Sequence, residues 1–190
     1  MPNWCNNNIE ITGPAKTVNA LWTAATAEGG GLLDAMVPMP KALRDTVKGT
    51  GDEVQTEVYD GATNWYDWAV SRWGTKWDVD MEGLEYTDNE DGTATISGYF
   101  DSAWAPPVEA YNRFLEANED CSLTASYYEM GCDFAGLYDN GDDEYLEGLN
   151  EEAQLPEEQQ SDLFKRLDEE WNLSEQFAEW NELELDDDVA

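Results

Sequence analysis

The residues that could act chemically are nearly all carboxylates: 43 Asp and Glu stand against 9 Lys and Arg, and there is no histidine. Without an imidazole, neither a Ser-His-Asp nor a Cys-His nucleophile can be assembled. No G-x-x-x-x-G-K-S/T or G-x-G-x-x-G phosphate cradle occurs. Cys5, Cys121 and Cys132 are dispersed, so neither zinc nor an iron–sulfur cluster finds its ligand spacing. Paired carboxylates can serve acid–base chemistry, as in glycoside hydrolysis, but among 43 acids chance pairs occur everywhere and none stands out. Two turns, TDNEDG at 87–92 and DNGDDE at 139–144, have the composition of calcium loops without their pattern. The first has Thr87 at the opening ligand position and Gly98 where a bidentate Glu belongs, and the second misplaces its glycine. No enzyme, cofactor or metal is expected.

What so many carboxylates can do is a matter of electrostatics. The formal net charge is −34 at pH 7. Residues 1–78 hold 10 acids and 6 bases, 79–137 hold 13 and 1, and 138–190 hold 20 and 2, so acidity climbs toward the C-terminus. Such a surface repels nucleic-acid phosphates and anionic lipid, both of which need neutralising bases, and attracts basic protein surfaces. Duplex DNA carries one charge per roughly 1.7 Å of axis, so a charge of 34 corresponds to about 58 Å, or about 17 base pairs. A compact chain of 190 residues has a radius of gyration of about 16 Å and a diameter of roughly 40 Å. Its charge density rivals that of DNA. A uniform, salt-adapted coating would not leave the first 78 residues at −4.

Holding that charge in shape requires a core, and 41% apolar residues with nine Trp and nine Tyr suffice for one. NNNIEITG (6–13) alternates like a half-buried strand, and 15–28 carries Val18, Leu21, Trp22 and Ala25 on one helical face before Gly29. Leu32 to Pro40 reads as an apolar connector and 41–63 as loop. In NWYDWAVSRWGTKWD (64–78), Trp65, Trp68 and Ala69 share a helical face with Trp73 a turn on. Base stacking would need a basic groove beside such rings, and only Arg72 and Lys76 lie nearby, so the run reads mainly as core. VDMEGLEY (79–86) and TATISGYF (93–100) form a hairpin turned by Asp91-Gly92. A helix from the first turn at Pro106-Pro107 to about Asn118 buries Val108, Tyr111, Phe114 and Leu115. Strands follow at 122–129 and 133–139. The order is strand, helix, strand, strand, helix, strand, which predicts an α+β fold of the ferredoxin-like split β-α-β kind, an antiparallel sheet with helices on one face.

From residue 141 the composition shifts, which predicts a domain at 1–140 and an acidic helical extension at 141–190. One helix carries Leu163, Phe164, Leu167 and Trp171; a second starts at a capping pair, Asn172 and Glu175, and carries Phe177 and Trp180. The unpaired cysteines suit a reducing compartment. The segment MPNWCNNNIEITG has neither the basic nor the apolar region of a signal peptide, so a cytoplasmic protein is expected.

MPNW at 1–4, PMP at 38–40, NWYDW with WGTKWD at 64–78, SAWAPP at 102–107 and YYEMGCDFAG at 127–136 together resemble the YubB-like ferredoxin-fold family of phage and plasmid proteins. The resemblance covers about residues 1–140 and implies a fold and a mobile-element habitat rather than a mechanism. Combined with the charge, it leads to an expected role: an inhibitor that offers an acidic DNA mimic to the basic surface of a host defence or nucleic-acid-binding protein. Neither nucleic acid nor membrane would be contacted directly. The phosphate-like charge would come from Asp142, Asp143, Glu144, Glu169, Glu170, Glu179, Glu182, Asp186, Asp187 and Asp188. Trp171, Phe177 and Trp180 would either dock the extension or anchor the partner. Two rival expectations stand beside it: a module that grips its partner with the apolar faces of the last two helices, and an acidic protein adapted to salt or solubility.

Overall fold

The structure, a computed structural model, describes residues 3–46 and 61–187, with side chains described as far as Glu182. It is an α+β fold built on one six-stranded antiparallel sheet. The strands are β1 (Trp4–Pro14), β2 (Leu84–Asp88), β3 (Thr93–Ala103), β4 (Ser122–Glu129), β5 (Phe134–Asp139) and β6 (Asp142–Glu147), in the spatial order β2-β3-β1-β4-β5-β6. β1 is central because its sequence alternates: Cys5, Asn7, Ile9 and Ile11 are buried on one face, while Asn8, Glu10 and Thr12 face the other way. Its register sets Ile9 opposite Gly98 and Ala125, and Glu10 opposite Ser97 and Thr124.

The first face carries the main core. Helices α1 (Ala15–Ala25), α2 (Leu32–Met36), α4 (Trp65–Trp73) and α5 (Val108–Ala117) pack there with Ile9, Ile11, Ile96, Leu123 and Tyr138 of the sheet. α4 starts where the Asn64 side chain accepts from Asp67 N at 3.0 Å and stops at Gly74, in the left-handed region at φ 87°. Trp68 and Trp73 meet edge to face at 5.5 Å inside this core, whereas Tyr66 and Trp77 stay exposed. The aromatic run is therefore mostly interior, with a surface fringe.

Several expectations are corrected in detail. Part of the connector at 32–40 is helical, as α2, because Asp78 accepts from the backbone N–H groups of Leu33 and Asp34 at its first turn. Of the loop expected over 41–63, residues 41–44 form a short helix, α3 (Lys41–Arg44), and 47–60 lie outside the described residues. Val79 and Met81 precede β2 rather than belonging to it, because Asp80 folds back onto Glu82 N in a tight turn. The turn expected at 139–144 is shorter, and Asp142 already begins β6, whose partner is β5. The domain boundary expected at 140 thus falls inside a β-hairpin of a single sheet.

Helices do not keep to one face. α6 (Leu149–Gln154), α7 (Asp162–Trp171) and α8 (Leu173–Asp187) cover the second face over β4 to β6. Leu149, Phe164, Leu167, Leu173 and Phe177 are buried with Tyr128 and Ala135 of the sheet. Each such side chain contributes about 1.5–3 kcal/mol by leaving water, so the docking is on the order of 10 kcal/mol before chain entropy is subtracted. Ser161 caps α7 by accepting from Phe164 N at 3.1 Å, and Asn172, at φ 55°, both ends α7 and donates to Glu175 at the start of α8. Among the described residues no helix is long and apolar enough to cross a membrane.

Candidate functional site

The carboxylates singled out in the sequence are borne by three elements, and the local pattern decides where each points. β6 alternates, so Asp142 and Glu144 lie beside α7 while Asp143 points to the first face. Glu144 meets Arg166 Nη1 of α7 at 2.9 Å, an exposed pair. Asp143 accepts from the Tyr127 hydroxyl at 2.8 Å. Burial pushes the Asp143 carboxyl up, the Tyr127 hydrogen bond opposes this, and the neighbouring Asp142 charge adds to the rise. Three successive acids therefore do not form one platform.

On α7 and α8 the apolar stripe turns inward and leaves acids outward. Glu169, Glu179 and Glu182 are exposed; Glu170 is exposed and accepts from Asn8 Nδ2 at 2.6 Å, tying the helix to β1. Asp186 and Asp187 belong to α8, their side chains lying beyond those described, and Asp188 lies outside the described residues. Of the three rings, Phe177 is 3% exposed and stacks on Trp180 with ring centroids 6.1 Å apart. Trp171 donates its indole N–H to Ser126 Oγ at 3.0 Å and packs against Tyr128 at 4.9 Å and Tyr99 at 5.6 Å. These rings hold the helices on the sheet, the docking half of what the sequence offered, and Phe177 has no surface to give a partner.

Most of this negative charge cannot be neutralised from within: 43 acids against 9 bases leave a formal net charge of −34. Among residues 138–190 the bases are Lys165 and Arg166, against 20 acids. On the second face, β3, β1, β4 and β5 beside α7 form a groove of about 560 Å³ lined by polar groups that include Glu10, Ser97, Thr124, Asp139, Glu170 and the cation Arg166. A second cleft, of about 570 Å³, lies at the end of the same face, lined by Trp4, Tyr99, Asp80, Glu82 and Asp101 among others. Sequence reasoning did not find this second cleft, because its walls come from β1, β3 and the turn before β2.

Among the described residues no group of three or more Cys, Asp or Glu is placed to hold a metal ion. In the 87–92 turn, Asp91 Oδ1 accepts from Thr93 N and Thr93 Oγ1, and Asp88 accepts from Glu90 N, so these carboxylates are committed to their own turn. Burial pushes the Cys5 and Cys121 thiols up, and Cys132 is raised first by its hydrogen bond with Glu129.

No family model matches the chain, and no curated protein matches it. Among solved structures it is similar to a crystal structure of a protein api92 from Yersinia pseudotuberculosis, with the family-model description DUF1281. The identity is 14%, the TM-score 0.43, and the match covers 77% of this chain and 98% of that one. At that TM-score the likeness says nothing of this chain's activity.

Proposed function

We propose that this protein is a non-enzymatic inhibitor, carried by a phage or plasmid, whose acidic surface occupies the nucleic-acid-binding face of a basic host protein. One observation carries the reading. The last two helices are anchored by Phe164, Leu167, Leu173 and Phe177, and that anchoring holds Glu169, Glu170, Glu179 and Glu182 on the exposed side of a fixed surface. A polyanion in a fixed shape can complement a basic cleft, and it steers association at salt-sensitive rates. The phage or plasmid habitat rests on the family resemblance, and cytoplasmic action on the dispersed, odd-numbered cysteines.

The scaffold in this reading is a ferredoxin-like split β-α-β unit extended by a hairpin. The order β2-β3-β1-β4, antiparallel throughout, supports it, with α1 following β1 and α5 joining β3 to β4. The acidic helices extend this scaffold on its second face. A module gripping its partner with the apolar faces of α7 and α8 is less well supported, since those faces are turned onto the sheet.

The test is capture of host nucleic-acid-binding proteins on the immobilised chain, with elution by duplex DNA and by salt. Capture should fall at least tenfold in a variant combining Glu169→Gln, Glu170→Gln, Glu179→Gln and Glu182→Gln, although single substitutions should each cost only about 0.2–1 kcal/mol. Capture indifferent to DNA, salt and the fourfold variant would overturn the proposal.

A further inference from the structure

The cleft at the end of the second face sets two exposed aromatic rings beside the carboxylates of Asp80, Glu82 and Asp101, of which Asp80 also accepts from Glu82 N at 2.8 Å. Trp4 is 48% and Tyr99 55% exposed, and both line it. Trp4 begins β1, and Asp101 and Tyr99 of β3 share its side of the sheet through the pairings Trp4 with Ala103, Asn6 with Asp101 and Asn8 with Tyr99. Asp80 and Glu82 come from the turn ahead of β2 and are exposed. Asp78, also in the wall, is committed to the N–H groups of Leu33, Asp34 and Val79. Among the described residues, those lining the cleft include no Lys or Arg.

Two features show that the rings are held rather than loosely displayed. Tyr99 is braced edge to face by Trp171, and its N–H donates to Gly83 O at 3.0 Å. That contact needs two glycines, because a Cβ on Gly98, at φ 136°, would stand 2.2 Å from Gly83 O. Trp4 packs on Trp77 at 6.2 Å, and Lys76 Nζ already sits 4.3 Å over the Trp77 ring. The chain thus places one of its own cations on the next ring of the same cluster.

We propose that this cleft receives an arginine side chain of the basic partner, its guanidinium lying against Trp4 and Tyr99 and neutralised by Asp80, Glu82 and Asp101. Charge complementarity selects a cation, and the rings select arginine over lysine, because a planar, weakly hydrated guanidinium stacks and forks where an ammonium remains a hydrated point charge. This rests on the polyanion reading and adds the anchor it lacked, since carboxylates alone give rate and salt dependence while desolvated anchors give affinity.

The test uses the full chain with nona-arginine and nona-lysine peptides as probes, followed by titration calorimetry at about 0.15 M salt. The wild type should prefer nona-arginine. Trp4→Ala and Tyr99→Ala should each weaken nona-arginine roughly fivefold and nona-lysine much less. Tyr145→Ala removes an exposed ring outside the cleft and should change neither. Should a ring variant fail to fold, Glu82→Gln with Asp101→Asn gives the same reading from the charged wall. Equal affinity for the two peptides, or a preference that survives all these variants, overturns the cleft and leaves the polyanion reading standing. If neither peptide binds at low salt, the polyanion reading itself fails.

Discussion

Phe177 is the side chain on which the placement of the C-terminal carboxylates turns, and replacing it with alanine tests that dependence directly. Its ring is buried among Tyr128, Leu149, Phe164, Leu167 and Leu173 and stacks on Trp180 with planes 2° apart. Truncating a buried Phe to Ala costs about 3–5 kcal/mol, the transfer term plus the void left behind, and the lost stack accounts for about 0.5–1.5 kcal/mol within that range. For a chain of this length the shift in Tm is roughly 6–20 °C at about 2–4 °C per kcal/mol. Urea unfolding followed by tryptophan fluorescence reads it, because Trp171 and Trp180 lie in the same contact and should shift to the red as they meet water. Glu179→Gln, an exposed change on the same helix, serves as the control and should stay within about 0.5 kcal/mol. A Phe177→Ala loss below about 1 kcal/mol would mean that α8 is not held on the sheet by this ring, and the fixed acidic surface would go with it.

Three further outcomes follow from the same coordinates and charges. Raising NaCl from about 0.05 to 0.5 M should raise Tm, since self-repulsion at −34 is screened; a flat or falling Tm would count against dense like charge. Burial holds the Asp78 and Asp143 carboxyls above their ordinary value of 3.8, so their stabilising contribution is full below that pH and is lost as pH rises through the raised values. Calorimetric stability should therefore fall from mild acid toward neutrality, in the same direction as the repulsion. Burial pushes Tyr138 up to about 12 and Tyr111 and Tyr127 further still. Tyrosinate absorbance should thus rise in two stages, the second coinciding with alkaline unfolding, because stability from these hydroxyls is lost as pH passes their raised values.

Where neighbouring residues decide a conformation, the sequence was readable. The Asn64 cap and Gly74 bracket α4, the alternation of Ile9 and Ile11 marks β1, and Tyr111 and Phe114 mark the buried stripe of α5. β6 was not readable, because DDEYLE has almost no apolar alternation and becomes a strand only through backbone pairing with β5. α2 was hidden for a similar reason: the carboxylate at its first turn, Asp78, is supplied from 45 residues further along. At the candidate site, the acid count and its gradient were legible, and the way β6 splits Asp143 from Glu144 was not. The cleft of Trp4 and Tyr99 depends on strand register, which composition does not specify.

The two rims of the sheet, β2 and β6, each carry carboxylates: Glu85 and Asp88 on one, Asp142, Asp143, Glu144 and Glu147 on the other. An open rim ordinarily invites a neighbouring molecule to add its own strand, the first step toward fibrous polymer. Here a second copy arriving at either rim would bring its own acids against these, and like charges directly opposed across a ladder repel. Either rim is thereby kept from templating a second copy of the chain, even in concentrated solution.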